Sequence, residues 1–241
     1  MANDNNKGFN TNSNVYTILY SVILVVVVAF LLAFVYQVLK DRQDANVALD
    51  KKKQILYALD ITGLTDDEAA AKYNEVVLRD DVLNVGGVFE TTKEGNENHG
   101  FKLNSADYKN GQLALFVCKV DGATKYVVPV YGMGLWGPIS GFIAINEDKQ
   151  TVYGAYFNHE SETAGLGAEI KDNQKWQEQF QGKKLFKGAD RNAIAISVLK
   201  KRDSNDPNSV DAVTGATLTS NGVTDMLHDC LGQYIKFLNA K

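Results

Sequence analysis

Between Val15 and Leu39 the chain reads VYTILYSVILVVVVAFLLAFVYQVL, about 25 residues without a Lys, Arg, Asp or Glu. At a rise of ~1.5 Å per residue a helix of that length slightly exceeds the ~30 Å hydrocarbon core of a bilayer and spans it with modest tilt. The β-branched run Val25 to Val28 would favour a strand in water. Inside lipid the backbone must satisfy its own hydrogen bonds, and only a helix does that alone. Tyr16, Tyr20 and Tyr36 lie near the two ends, where aromatic belts form. A cleaved signal peptide would carry an apolar core of roughly 7–15 residues and a small-residue cleavage site. Gln37 to Arg42 offers no such site, so the segment reads as an uncleaved anchor. The expected organisation is a disordered, Asn-rich stretch over 1–13, a transmembrane helix over 14–39 and one domain over 40–241.

Charge gives a first reading of orientation. Lys7 flanks the span on one side, and Lys40, Arg42 and Lys51 to Lys53 flank it on the other. A positive-inside count therefore places the domain in the cytoplasm. Asp41, Asp44 and Asp50 interleave those cations.

The chain has no basic excess: 25 Lys and Arg stand against 29 Asp and Glu in the 241 residues. Counterion release from a phosphate backbone needs concentrated positive charge, so nucleic acid is excluded as a partner. Cys118 and Cys230 sit singly among apolar neighbours and read as buried thiols. His99, His159 and His228 lack ligand spacing, so no protein-held metal is expected.

Past the span, the pattern predicts a helix continuing with Val47, Ile55, Leu56 and Leu59 on one face and Gly63 as its stop. A second helix opens on Asp66, Asp67 and Glu68, which suit the positive end of a helix dipole, and runs to about Asp80. The runs LALFVCKV, KYVVPVYG, ISGFIAIN and TVYGAYFN are rich in β-branched and aromatic residues and are separated by turn residues. They predict an antiparallel sheet. KWQEQFQGKK reads as a helix, AIAISVLK as a further strand, and a long helix from about Ser220 carries Val223, Met226, Leu227, Cys230, Leu231, Tyr234, Ile235 and Leu238 at helical spacing. That stripe packs on the sheet in an α+β domain, an antiparallel sheet flanked by helices.

Ahead of the last helix, Asp211 to Thr217 read D-A-V-T-G-A-T. Unpaired amides and the dipole at a helix start make a site for a phosphate dianion. Gly215 and Ala216 remove side-chain bulk there, and Thr217 supplies the hydroxyl that a phosphoester requires. A turn followed by an ordinary Thr or Ser cap is the plain alternative. A chance match to D-x-x-[ST]-G-A-T arises in only on the order of one chain in a thousand.

D-A-V-T-G-A-T-L-T-S resembles the flavinylation motif of the FMN-binding domain family that includes the C subunit of the sodium-translocating NADH:quinone reductase and the G subunit of the Rnf complex. The resemblance extends to H-S-E-T-A-G-L-G-A-E-I at His159 to Ile170 and to Y-G-M-G-L-W-G-P-I at Tyr131 to Ile139. Because G-L-W-G-P-I-S-G-F-I-A resembles the reductase segment closely, the reductase branch is favoured over the Rnf one. The resemblance implies FMN joined to Thr217 through a phosphoester, installed from FAD by a flavin transferase that recognises Asp211, Thr214, Gly215, Ala216 and Thr217. It implies that Leu135, Trp136, Glu162, Thr163, Leu166, Thr214, Gly215 and Ala216 line the flavin. It also implies five partner subunits in a bacterial inner membrane and a domain on the periplasmic side, against the charge count.

Two positions depart from the family pattern: Ala164 replaces a proline and Met133 a lysine. A cofactor tethered only by its phosphate still needs walls for its ring. Trp136 and Leu166 offer apolar surface, and Glu162 and Thr163 offer polar groups for the ring edge or ribityl chain. The expected function is one-electron relay, without NADH binding, since no G-x-G-x-x-G opens a βαβ unit. The span holds no charge for an ion path. The alternatives are an Rnf-type flavoprotein and a cofactor-free tether that serves as a docking surface.

Overall fold

The computed structural model describes residues 11, 13–87, 89–91, 95–201, 203 and 205–240. Of the stretch 1–13 read as disordered, all but residues 11 and 13 lie outside the described residues. Helix α1 runs from Asn14 to Ala58 without a break. Compactness divides the chain into two units, with the boundary between Ala48 and Leu49. In the first unit every residue from 17 to 47 is exposed, and this helix is long and apolar enough to cross a membrane. In the second unit the end of α1 buries Ile55, Leu56 and Ala58, and Leu59 just beyond it is buried too. Val47, expected on the same face, is 69% exposed. The helix also stops before Gly63, because Asp60 turns the chain at a φ of 60°.

Helix α2 (Asp66–Val76) opens on a capping box between Thr65 and Glu68. It ends four residues sooner than its acidic and apolar pattern suggests, and residues 77–80 begin a strand. The second unit then holds β1 (Val77–Asn84), β2 (Phe89–Thr91), α3 (Ser105–Lys109), β3 (Gln112–Val120), β4 (Ala123–Met133), β5 (Pro138–Asn146) and β6 (Val152–His159). After them come α4 (Glu169–Asp172), α5 (Gln174–Glu178), β7 (Ser197–Leu199), β8 (Ser209–Asp211), α6 (Thr217–Gln233) and α7 (Ile235–Asn239). Strands β1 to β6 form one antiparallel sheet in the order β2-β1-β3-β4-β5-β6. The fold is the α+β class expected.

Both faces of that sheet are covered, which explains why its central strands read as continuous apolar runs rather than alternating ones. In β3, Leu113, Leu115 and Val117 join the cluster under α6 with Val223, Leu227 and Leu231. The intervening Ala114, Phe116 and Cys118 are equally buried on the opposite side. There Phe116 meets Phe142 with ring centroids 6.2 Å apart. The α1 end lies against β6 closely enough that a Cβ on Gly154 would come within 2.5 Å of the Ala58 carbonyl oxygen. Both cysteines are buried and free.

Strand β1 escapes a propensity reading because Asp80 and Asp81 are both wholly buried. Asp80 Oδ2 accepts from the amides of His99 at 2.7 Å and Phe101 at 2.8 Å, and Asp81 Oδ2 accepts from Arg79 Nε at 2.8 Å. Two further expectations are corrected. Of AIAISVLK only Ser197–Leu199 is a strand, and it pairs in parallel with β8, outside the large sheet. The KWQEQFQGKK helix is one turn, α5, with Trp176 and Phe180 buried beside Phe157.

Candidate functional site

Three segments meet at one end of the sheet: the β4–β5 turn, the loop after β6, and the loop leading from β8 into α6. The turn closes with the Gly134 amide donating to the Gly137 carbonyl at 2.8 Å. It leaves Leu135 and Trp136 at its tip, with Trp136 67% exposed. The loop after β6 folds into a second turn, in which the amides of Leu166 and Ala168 donate to the Thr163 carbonyl at 3.1 and 3.0 Å. Gly165 sits there at a φ of 71°, as a type II turn requires at its third position. Ala164 thus occupies the second position, where proline is favoured. The turn forms without it.

The third segment starts at Asp211, whose carbonyl accepts from Trp176 Nε1 at 2.6 Å and whose amide donates to Gln179 Oε1 at 3.0 Å. Next the Ala216 amide donates to the Val213 carbonyl at 3.1 Å, with Gly215 at a φ of 77°. A side chain at 215 would be strained and would also approach Leu166 Cδ2 to 2.8 Å. Helix α6 starts at Thr217, three residues before the Ser220 read from the apolar spacing, with Ala216 as its cap residue. The first bond back into the cap runs from the Ser220 amide to the Ala216 carbonyl at 2.9 Å. The amides of Thr217, Leu218 and Thr219 therefore have no acceptor among the described residues and point out of the helix start.

The four hydroxyls of the motif divide by role. Thr217 and Thr214 are exposed and make no side-chain hydrogen bond among the described residues. Ser220 Oγ accepts from the Val213 amide at 3.1 Å, which ties the loop down. Thr219, 1% exposed, donates to Glu162 Oε2 at 2.6 Å. Sequence reasoning missed these last two uses. The T-L-T-S spacing was the available signal, since residues 217 and 219 project from different sides of a helix.

Glu162 is buried, and its Oε1 accepts from the Trp136 amide at 2.7 Å. Burial pushes its carboxyl up, but hydrogen bonds from the Thr219 hydroxyl and the Trp136 and Gly137 amides, with His159 nearby, outweigh that and hold its pKa below the usual glutamate value. Its own amide donates to His159 Nδ1 at 3.2 Å. Gly222 lets α6 approach the turn: a Cβ there would lie 2.2 Å from the Met133 carbonyl oxygen. Leu166, Leu218 and Met133 add further exposed apolar surface. A cleft of about 440 Å³ opens beside Gly165, Trp176, Val213 and Thr214, and another of about 460 Å³ beside Met133, Pro138 and Ile139.

An exposed hydroxyl, three unpaired amides at a helix start and an apolar tip suit a phosphate-bearing aromatic group. Residues 134–232 match the family described as FMN-binding domain, a range that takes in all three segments. Relatives extend the match. The C subunit of the Na(+)-translocating NADH-quinone reductase of Haemophilus ducreyi is 32% identical over 211 residues, 80% of each chain. Its counterpart from Vibrio anguillarum is 34% identical over 212 residues, 80% of this chain and 81% of its own. The crystal structure of the same reductase component from Parabacteroides distasonis superposes with a TM-score of 0.73 at 34% identity, covering 84% of this chain and 98% of that one. The chain belongs to the family formed by the C subunits of Na(+)-translocating NADH-quinone reductases.

Proposed function

We propose that this chain is the electron-transfer C subunit of a Na(+)-translocating NADH-quinone reductase, anchored by α1 and carrying FMN as a phosphoester on Thr217. The observation that carries the attachment is the contrast within one helical turn: Thr217 presents a free, exposed hydroxyl, whereas Thr219 is buried and bonded to Glu162. Bound FMN supplies the capacity to take up and release electrons one at a time. The chain's own groups do the rest. The amides of residues 217–219 and the α6 dipole favour the phosphate charge, and Leu135, Trp136 and Leu166 shield one side of the ring from water. Asp211, Thr214, Gly215 and Ala216 form the loop that a flavin transferase reads.

Periplasmic placement of the domain belongs to the same reading. The charge count against it draws on Lys40, Arg42 and Lys51 to Lys53, and the last three have other work in the fold. Lys51 Nζ donates to the carbonyls of Phe101 and Leu103, Lys52 pairs with Glu97 at 2.7 Å, and Lys53 pairs with Asp66. Their presence after the span needs no topological explanation. Partners are then the other subunits of the complex. The relatives are named as components of the sodium-translocating reductase, which favours this reading over an Rnf-type one. Flavin fluorescence on a denaturing gel of the wild type, lost in Thr217→Ala, is the expected result; fluorescence retained in that variant would reject the attachment.

A further inference from the structure

Resting on that attachment, the remaining question is what keeps a ring on a flexible phosphate tether in register with its wall. Tether and wall belong to different parts of the chain. Trp136 tips the β4–β5 turn and Thr217 opens α6, and no strand pairing joins the two. Glu162 does. One carboxylate oxygen takes the Trp136 amide, 26 residues back along the chain, and the other takes the Thr219 hydroxyl, 57 residues ahead.

The surroundings are shaped to this carboxylate. A Cβ on Gly134 would fall 2.5 Å from Glu162 Oε1, and one on Gly167 would fall 2.3 Å from Oε2 and 2.7 Å from Thr219 Oγ1. Any side chain at either position would displace the carboxylate or its partners. Thr219 faces inward two residues beyond the outward-facing Thr217, so fixing its side chain fixes the rotation of the first turn of α6. That rotation sets where the Thr217 hydroxyl and the free amides point.

We propose that Glu162 is the positioning residue of this site: it locks the Trp136 turn to the first turn of α6, holding ring wall and tether at a fixed separation, and it acts through these protein groups rather than by touching the flavin. Its two oxygens are engaged beneath the surface, while the neighbouring Thr163 is an exposed polar residue of that loop.

The test uses full-length protein made together with a flavin transferase, as wild type, Glu162→Gln, Thr219→Val, Glu162→Ala and the double variant Glu162→Ala/Thr219→Val. Attachment is read by mass, and ring mobility by the native-state fluorescence anisotropy of the attached flavin. Attachment at Thr217 is expected in all five proteins. Anisotropy should fall most in Glu162→Ala and less in Thr219→Val, which loses one arm of the clamp. Glu162→Gln should restore much of it, because the amide oxygen still accepts from Trp136. The double variant should fall no further than Glu162→Ala, since valine removes a bond already gone. Full additivity would mean that Glu162 acts on the flavin directly, and unchanged anisotropy in Glu162→Ala would mean that it positions nothing; either overturns the proposal. Should Glu162→Ala fail to fold, Thr219→Val and Glu162→Gln decide it, with anisotropy unchanged in the former as the contrary result. If the wild type carries no flavin at Thr217, the functional reading fails. The clamp is then read by acrylamide quenching of Trp136 in a Trp176→Phe background, where Thr219→Val should increase quenching and an unchanged value would refute it.

Discussion

The apolar stretch of α1 and the tip around Trp136 both expose large hydrophobic side chains, but in opposite ways. From Val15 to Leu39 the helix is apolar on every side, and nothing in its own unit covers it. At the tip, Leu135, Trp136, Leu166 and Leu218 form a local patch over a buried carboxylate whose partners are fixed. The first surface asks only for a nonpolar solvent, since a helix already satisfies its backbone. The second asks for a shape, because a small apolar patch beside organised polar groups marks a binding site.

The largest effect should come from the polar side of that patch. Thr217→Ala removes the proposed attachment oxygen from an exposed helix start and deletes little packed volume. Covalent flavin should vanish while the thermal midpoint stays near the wild-type value. Loss of the fold together with the flavin would show that Thr217 is part of the core.

Truncation separates the two kinds of exposure. Without residues 1–48 the second unit keeps Ile55, Leu56 and Leu59, and it should be monomeric and folded in the absence of detergent. Deleting 1–60 removes those side chains, each worth about 2–5 kcal/mol in a packed core, against a typical total of about 5–15 kcal/mol. The shorter protein should unfold or aggregate, which circular dichroism and size exclusion will read. Equal stability of the two truncations would mean that the α1 end is not part of the core.

Trp136→Ala should have an intermediate effect. The proposed ester should remain, because it does not depend on the wall, but the ring should lose one face. Flavin content should be unchanged while anisotropy and quinone reductase turnover both fall. If neither falls, Leu135 and Leu166 suffice and the tip is not a wall.

The contrast also explains what the sequence made legible. An unbroken apolar run announces the membrane helix, and strands buried on both faces announce themselves as the runs that became β3 to β6. Strand β1 stayed hidden because Asp80 and Asp81 read as solvated, while Asp80 bonds the amides of His99 and Phe101 on a distant loop and Asp81 pairs with Arg79 on the strand itself. The start of α6 was placed late because its apolar stripe begins only at Val223, and the polar first turn carries no periodic signal. Thr219 bonds the Glu162 carboxylate there, and Ser220 accepts from the Val213 amide. The proposed attachment motif was visible as a local string. The clamp was not, because its members lie far apart in the chain and only the fold brings them together.

A small gain is expected at one of the two family departures. Ala164 holds the second position of the Thr163–Leu166 turn, and its amide makes no hydrogen bond among the described residues. Ala164→Pro should therefore stabilise the domain by about 0.4–1 kcal/mol, seen as a modest rise in thermal midpoint. A fall would mean that the turn cannot accommodate the ring, and the resemblance to the proline-bearing loop would hold in sequence only.

The central claim is the phosphoester at Thr217, and peptide mass mapping of the wild-type protein, made with and without a flavin transferase, tests it most directly. The peptide spanning Asp211 to Ser220 should gain the mass of one FMN less one water only when the transferase is present, with fragmentation placing the group on Thr217. An unmodified peptide in a protein that still holds flavin, or the group on Thr214 or Thr219, would contradict it.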